Sequence, residues 1–275
     1  MHFGWTRWLY DWTVIAYAGS LTLFFSDVLQ PSSRRSVNRM ALLLLFVAFL
    51  TVTGLLLARF QMMHMFPAYT RSDLLLLIAW ILLITTLVLD TFFRIGLVLF
   101  FTNVVGFFIF LLAGYQPGGQ SAEWFPKQDL LLLHVLLAIF SETAFAFSFA
   151  FAVMHILQHN NLTHKRWNRW FLLLPSLARL DNLCFVLTSI GFFLLFAAMA
   201  VGFVWGKLVL HEWVVFSEKT IVTVLTWLMY GVYLFLRVRD KSGSRNMMIY
   251  QVICFAATLF NLLFVSDVTP THDAF

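Results

Sequence analysis

The chain has 275 residues, 61% of them hydrophobic and only 11% charged, whereas a soluble globular domain is about 45–50% apolar and about 25% charged. A mean hydropathy of +0.86, with 32 Phe, 10 Trp and 10 Met, gives more apolar surface than one water-soluble core can bury, which excludes a soluble fold. The net charge of +5 lies on loops between apolar runs and not on a groove-reading surface, which argues against nucleic acid as a partner.

A membrane-crossing helix needs roughly 20 mostly apolar residues. Such runs lie, in chain order, near Leu9–Leu29, Met40–Ala58, Leu74–Phe93, Ile95–Ala113, Leu130–Leu157, Cys184–Trp205, Ile221–Leu236 and Met248–Val265. The first carries Asp11 and Asp27 and is the least apolar. The N-terminal residues lack the basic, then apolar, then small-residue order of a cleavable signal peptide. The expected fold is therefore an all-α integral membrane protein. It is a bundle of about eight transmembrane helices in a single polytopic domain over residues 1–275.

Lys and Arg concentrate on the cytoplasmic side of membrane proteins. Twelve of the 18 fall in the loops after the first, third, fifth and seventh runs, among them Arg34, Arg35, Lys165, Arg166, Arg169, Arg237 and Lys241. This split predicts both termini outside. The long basic loop from Gln158 to Asp181 then faces the anionic inner leaflet. On the outer side, Tyr115–Lys127 carries Pro117, Gly118, Gly119 and Pro126 and reads as a loop. Lys207–Lys219, KLVLHEWVVFSEK, is amphipathic around Trp213 and suits a lid in the membrane interface.

The chain carries no GxSxG, P-loop, GxGxxG or HExxH pattern, so no soluble catalytic constellation is expected. Cys184 and Cys254 have no CxxC partner and read as small hydrophobes. The histidines are more informative. His134 stands about one turn inside the outer end of the fifth run, where an imidazole is rare and faces the bundle interior. Its bland reading is a hydrogen-bonded interior histidine. Its functional reading is a metal or haem-iron ligand, with Ala138 and Ser141 on the same helix side leaving room for a flat ring. His155, 21 residues on, lies roughly 31 Å away at about 1.5 Å per residue, and reads as an interfacial residue that cannot share a site with His134. His272, on the outer side by the charge rule, is the natural second ligand of a bis-histidine pair, and imidazole pairs also suit other transition metals. His211 and His64 are reserves, and His2, His159 and His164 read as surface residues. Glu142, two turns past His134, must be protonated, paired or facing a polar cavity at that depth.

These residues resemble a known family. The fifth run and its exit, HVLLAIFSETAFAFSFAFAVMHILQHNNLTHKR, are similar to the helix of cytochrome c assembly proteins that opens with His-Val and ends in Leu-x-x-Lys. Leu174-Pro175-Ser176-Leu177, Leu180-Asp181 and Ile190-Gly191-Phe192 follow in the family's order, and Thr226-Trp227, Tyr230 and Tyr233 resemble its next segment. The match covers roughly residues 130–272. Length and helix count fit the family's eight-helix members linked to haem biosynthesis in Gram-positive bacteria.

The resemblance implies a multi-pass protein of the bacterial plasma membrane that binds non-covalent b-type haem on its outer side. His134 and His272 would be axial ligands of the haem iron, with Trp213 and Trp227 lining the pocket beside Ser141, Ala138 and His211. It also implies control of the level of glutamyl-tRNA reductase, with Lys165, Arg166 and Arg169 as contacts for that cytoplasmic partner, or handling of haem across the membrane. Two departures stand out. The outer loop holds one Trp, with Ser217-Glu218 in place of Asp-Pro, which argues against haem delivery to apocytochrome c. Glu142 stands where the family has Tyr. Two rival readings belong to other classes: a membrane redox protein passing electrons between haem and a quinone or thiol, and a cofactor-free scaffold for a cytoplasmic partner. Self-association is compatible with the small-residue helix faces.

Overall fold

In hydrocarbon there is no water to satisfy backbone N–H and C=O groups, so an apolar run must close its hydrogen bonds within itself. The computed structural model, which describes residues 3–29, 35–63, 71–93, 96–114, 128–165, 174–209, 218–240 and 245–265, does so throughout. Its elements are α1 (Phe3–Leu29), α2 (Arg35–Met63), α3 (Arg71–Phe93), α4 (Gly96–Ala113), α5 (Gln128–Thr163), α6 (Leu177–Val209), α7 (Glu218–Asp240) and α8 (Arg245–Phe260). The last continues as one π-helical turn, Asn261–Val265. The described residues contain no strand, and each apolar run of the sequence lies on one of these helices.

Among the described residues, five stretches are long and apolar enough to cross a membrane: Arg39–Gln61, Leu130–Thr163, Leu177–Val209, Glu218–Asp240 and Arg245–Leu263. Ser72–Val88 and Phe100–Ala113 are shorter apolar helices. Large apolar side chains face outward as well as inward, Phe193 and Phe235 each being 67% exposed. In water these would be a liability; against lipid they are the expected coat. The protein is a multi-pass membrane protein.

The helices form two compact units, α1–α4 and α5–α8. In the first, Tyr17 is fully buried, and its ring lies so close to α4 that a Cβ at Gly106 would stand 2.5 Å from the phenol oxygen. Only glycine admits that approach. Ser20 donates to the Ala41 carbonyl at 2.8 Å, Trp80 to Thr53 Oγ1 at 2.9 Å and Ser72 to the Ala113 carbonyl at 2.7 Å. Arg59 pairs with the carboxylate of Asp73, a residue wholly removed from solvent.

The second unit is organised by an antiparallel seam between α5 and α6. His134 reaches the Ala198 carbonyl at 2.6 Å, Ser141 the Gly191 carbonyl at 2.7 Å and Ser148 the Cys184 carbonyl at 3.0 Å. The three side chains are seven residues apart on α5, and their acceptors are seven apart on α6 in the opposite direction. A seven-residue period keeps one helix stripe facing one neighbour, as in a coiled coil. A helical carbonyl has a second lone pair, so it can accept such a bond without giving up its own helix. Small residues let the backbones come near enough: a Cβ at Gly191 would meet the Phe145 ring at 2.6 Å. Close packing at small residues and interhelical polar bonds are what hold helices together in lipid, where burial of apolar surface gives no drive.

Other contacts complete the unit. Phe145 stacks on Tyr230 with ring centroids 3.8 Å apart, and Phe149 on Phe255 at 4.6 Å. Gln251 of α8 donates to Ser148 at 2.9 Å, and Ser148 also meets Thr188 at 2.7 Å. Arg237 of α7 grips Asp181 of α6 with both arms of its guanidinium.

Candidate functional site

His134 lies on the second turn of α5. Its Nδ1 sits 2.6 Å from the Ala198 carbonyl oxygen. A carbonyl only accepts, so Nδ1 carries the proton and Nε2 is left with its lone pair. The same arrangement, one ring nitrogen donating to a carbonyl while the other faces a ligand, orients the histidines of many metal and haem sites. Gly202, one turn beyond Ala198, makes room for the ring: a Cβ there would lie 2.9 Å from both Cε1 and Nδ1 of the imidazole.

The ring opens on a cavity of about 230 Å³ between the N-terminal ends of α5 and α7 and the C-terminal end of α6. Leu131, His134, Met199, Gly202, Phe203, Trp205, Lys219, Thr220 and Thr223 line it. The walls are mostly apolar and aromatic, with a cation and two hydroxyls at one side. Thr223 donates to the Lys219 carbonyl at 2.8 Å and accepts from Asn261 at 3.0 Å, so the π-helical turn braces the first turn of α7. Among the described residues, no group of three or more His, Cys, Asp and Glu could hold a metal ion by itself. A single imidazole beside an apolar cavity fits a metal that brings its own planar ligand, and a haem iron is such a metal.

Of the other residues singled out in the sequence, Ser141 is fully buried in the α5–α6 seam. Ala138 does not line the cavity. Trp227 lies on α7, its Nε1 donating to the Phe192 carbonyl at 3.2 Å and its ring stacked on Phe192 at 4.6 Å, also away from the cavity. His272, Trp213, His211, His64, Arg166 and Arg169 lie outside the described residues. Lys165 follows α5 and is exposed, with a left-handed backbone (φ 52°) that closes the helix end.

Two expectations change. His155 reads as an interfacial residue in the sequence, yet it is only 2% exposed, with no hydrogen-bond partner at Nδ1 among the described residues. It occupies the fourth position of the seven-residue series, whose counterpart is Leu177, the first residue of α6. Cys184, read as a small hydrophobe, sits in a polar knot, its Sγ 3.2 Å from Ser148 Oγ and 3.4 Å from Tyr233 Oη. Both cysteines are free and buried.

Gly202 and Lys219 escaped the sequence reading. Lys219 entered there only as the end of the outer Lys207–Lys219 segment, and nothing local ties Gly202 to a histidine 68 positions earlier.

Comparison with known proteins agrees with this architecture. Residues 68–271 match the family described as Cytochrome C assembly protein. Protein HemX of Brevibacillus brevis is 33% identical over 259 residues, covering 94% of each chain. Protein HemX of Bacillus subtilis (strain 168) is 29% identical over 267 residues, covering 96% of each. The cytochrome c biogenesis protein CcsA of Cyanidium caldarium is 22% identical, covering 83% of this chain and 88% of its own. With the family pattern spanning well over half of its length, the chain belongs to the cytochrome c assembly protein family.

Proposed function

We propose that this protein binds non-covalent haem in the cavity beside His134, in the bacterial plasma membrane, and uses haem occupancy to set the level of glutamyl-tRNA reductase on the cytoplasmic side. The observation that carries the reading is the fixed imidazole: Nδ1–H committed to Ala198, Nε2 left for a ligand, and a mostly apolar cavity alongside. His134 would be one axial ligand and His272 the other, with Trp213 and His211 near the open side. When bound, haem supplies an iron centre whose spectrum reports its ligation. The chain's own part is to hold His134 rigid, exclude water and seat the ring. Protein purified without added haem should show a Soret band and, on reduction, sharp visible peaks. A colourless protein that still lowers glutamyl-tRNA reductase would sink the haem reading in favour of a cofactor-free scaffold. Reoxidation of the reduced form by a quinone would favour electron transfer instead.

The reading requires eight crossings with both ends outside, as the Lys and Arg distribution suggests. It places the His134 end of α5 outside, and puts Lys165, Arg166 and Arg169 where a cytoplasmic partner can reach them. A C-terminal reporter that works only in the cytoplasm should be silent. If it is active, the pairing of His134 with His272 is lost along with the topology.

A further inference from the structure

Among the described residues that line the His134 cavity, Lys219 is the formally charged side chain and none is acidic. It sits on the first turn of α7 and lines the same cavity as the His134 ring. Among the described residues, none forms an ion pair with it. Lys219 is exposed to solvent at the edge of an otherwise apolar cavity, and for a molecule seated there the group that matches this cation most simply is an anion on the ligand's own edge. Met199, Phe203 and Leu131 offer the ligand's body apolar surface, so the anion belongs on one edge of a flat apolar molecule.

We infer that Lys219 pairs with a peripheral carboxylate of the ligand, and that the cavity selects tetrapyrroles with free acid side chains over their neutral esters. This deepens the haem reading and rests on it for the ligand class, but Lys219 acts on the ring's edge and not on the metal. Its contribution is therefore separable from that of His134. Pairing with the carboxylate leaves Nε2 free for the iron, so one ligand is held at two points and its rotation in the cavity is fixed.

The test uses the full-length protein in nanodiscs of neutral lipid. It measures affinity for iron-free protoporphyrin and for its dimethyl ester by quenching of tryptophan fluorescence, and follows haem in parallel by its Soret band. The wild type should prefer the free acid roughly fivefold, the scale of one partly exposed ion pair. Lys219→Gln should abolish that preference without changing affinity for the ester, and Lys219→Arg should restore it. An equal loss for acid and ester, or no loss, would overturn the role of Lys219 while leaving haem binding standing. A preference that disappears when the neutral lipid is replaced by phosphatidylglycerol would show that Lys219 serves lipid phosphate, and would overturn it too. If the wild type binds neither porphyrin nor haem, the haem reading falls with it.

Discussion

His134→Ala should strip most of the haem from the purified protein, lowering the haem-to-protein ratio roughly tenfold or more, a loss of about 1.4 kcal/mol or more in binding. The imidazole is held on a helix by the Ala198 carbonyl, so its ordering is complete before a ligand arrives, and rigid ligands retain more of their binding energy. The substitution also removes one bond of the α5–α6 seam. Interhelical bonds in membranes average only about 0.6 kcal/mol, and Ser141 and Ser148 keep the other two. Unfolding is thus too small an effect to account for the lost haem. His272→Ala should leave a weaker complex with an altered spin state, because His134 stays in place on its helix. His155→Ala, 21 residues along α5 and so roughly 31 Å away, should leave haem content near wild type. If His155→Ala empties the protein and His134→Ala does not, the site lies at the other end of the unit.

Arg237→Ala should be the most destabilising single change in the α5–α8 unit outside its apolar core. Arg237 Nε donates to Asp181 Oδ1 at 3.0 Å and Nη2 to Oδ2, a two-armed grip that a lysine cannot reproduce. The side chains are only 15% and 11% exposed, and the guanidinium also lies 5.6 Å from the centre of the Phe185 ring. Removing one partner of such a pair leaves a charge in a poorly solvated place, at a cost of about 3–5 kcal/mol. The midpoint of thermal unfolding in detergent should fall clearly for Arg237→Ala and less for Arg237→Lys. It should recover in large part when Arg237→Met is combined with Asp181→Asn, because no unpaired charge then remains. A midpoint unmoved by Arg237→Ala would show that the pair contributes nothing.

Of the residues that line the cavity, the sequence singles out His134. His134 is conspicuous because an imidazole at membrane depth needs a reason, and its spacing to Ser141, Ser148 and His155 is a visible seven-residue series. What the spacing does not disclose is use. Ser141 looks like space for a ring and instead closes the seam on Gly191. His155 looks interfacial and is buried. Gly202 and Lys219 belong to the site through contacts made 68 and 85 positions from His134, and no local pattern announces them.

The sequence by itself determined that the chain is helical and where each helix runs. Long apolar stretches in lipid can satisfy their backbone only within themselves, and that rule depends on composition and length alone. The tertiary structure decided which faces meet, and therefore which residues form the cavity. These helices are apolar on nearly every side, so no hydrophobic stripe separates a face turned to lipid from a face turned to a neighbour. The choice falls to a few small residues and polar bonds, such as Gly191, Gly202 and the carbonyls of Ala198 and Cys184. Their value appears only once two distant helices lie against each other.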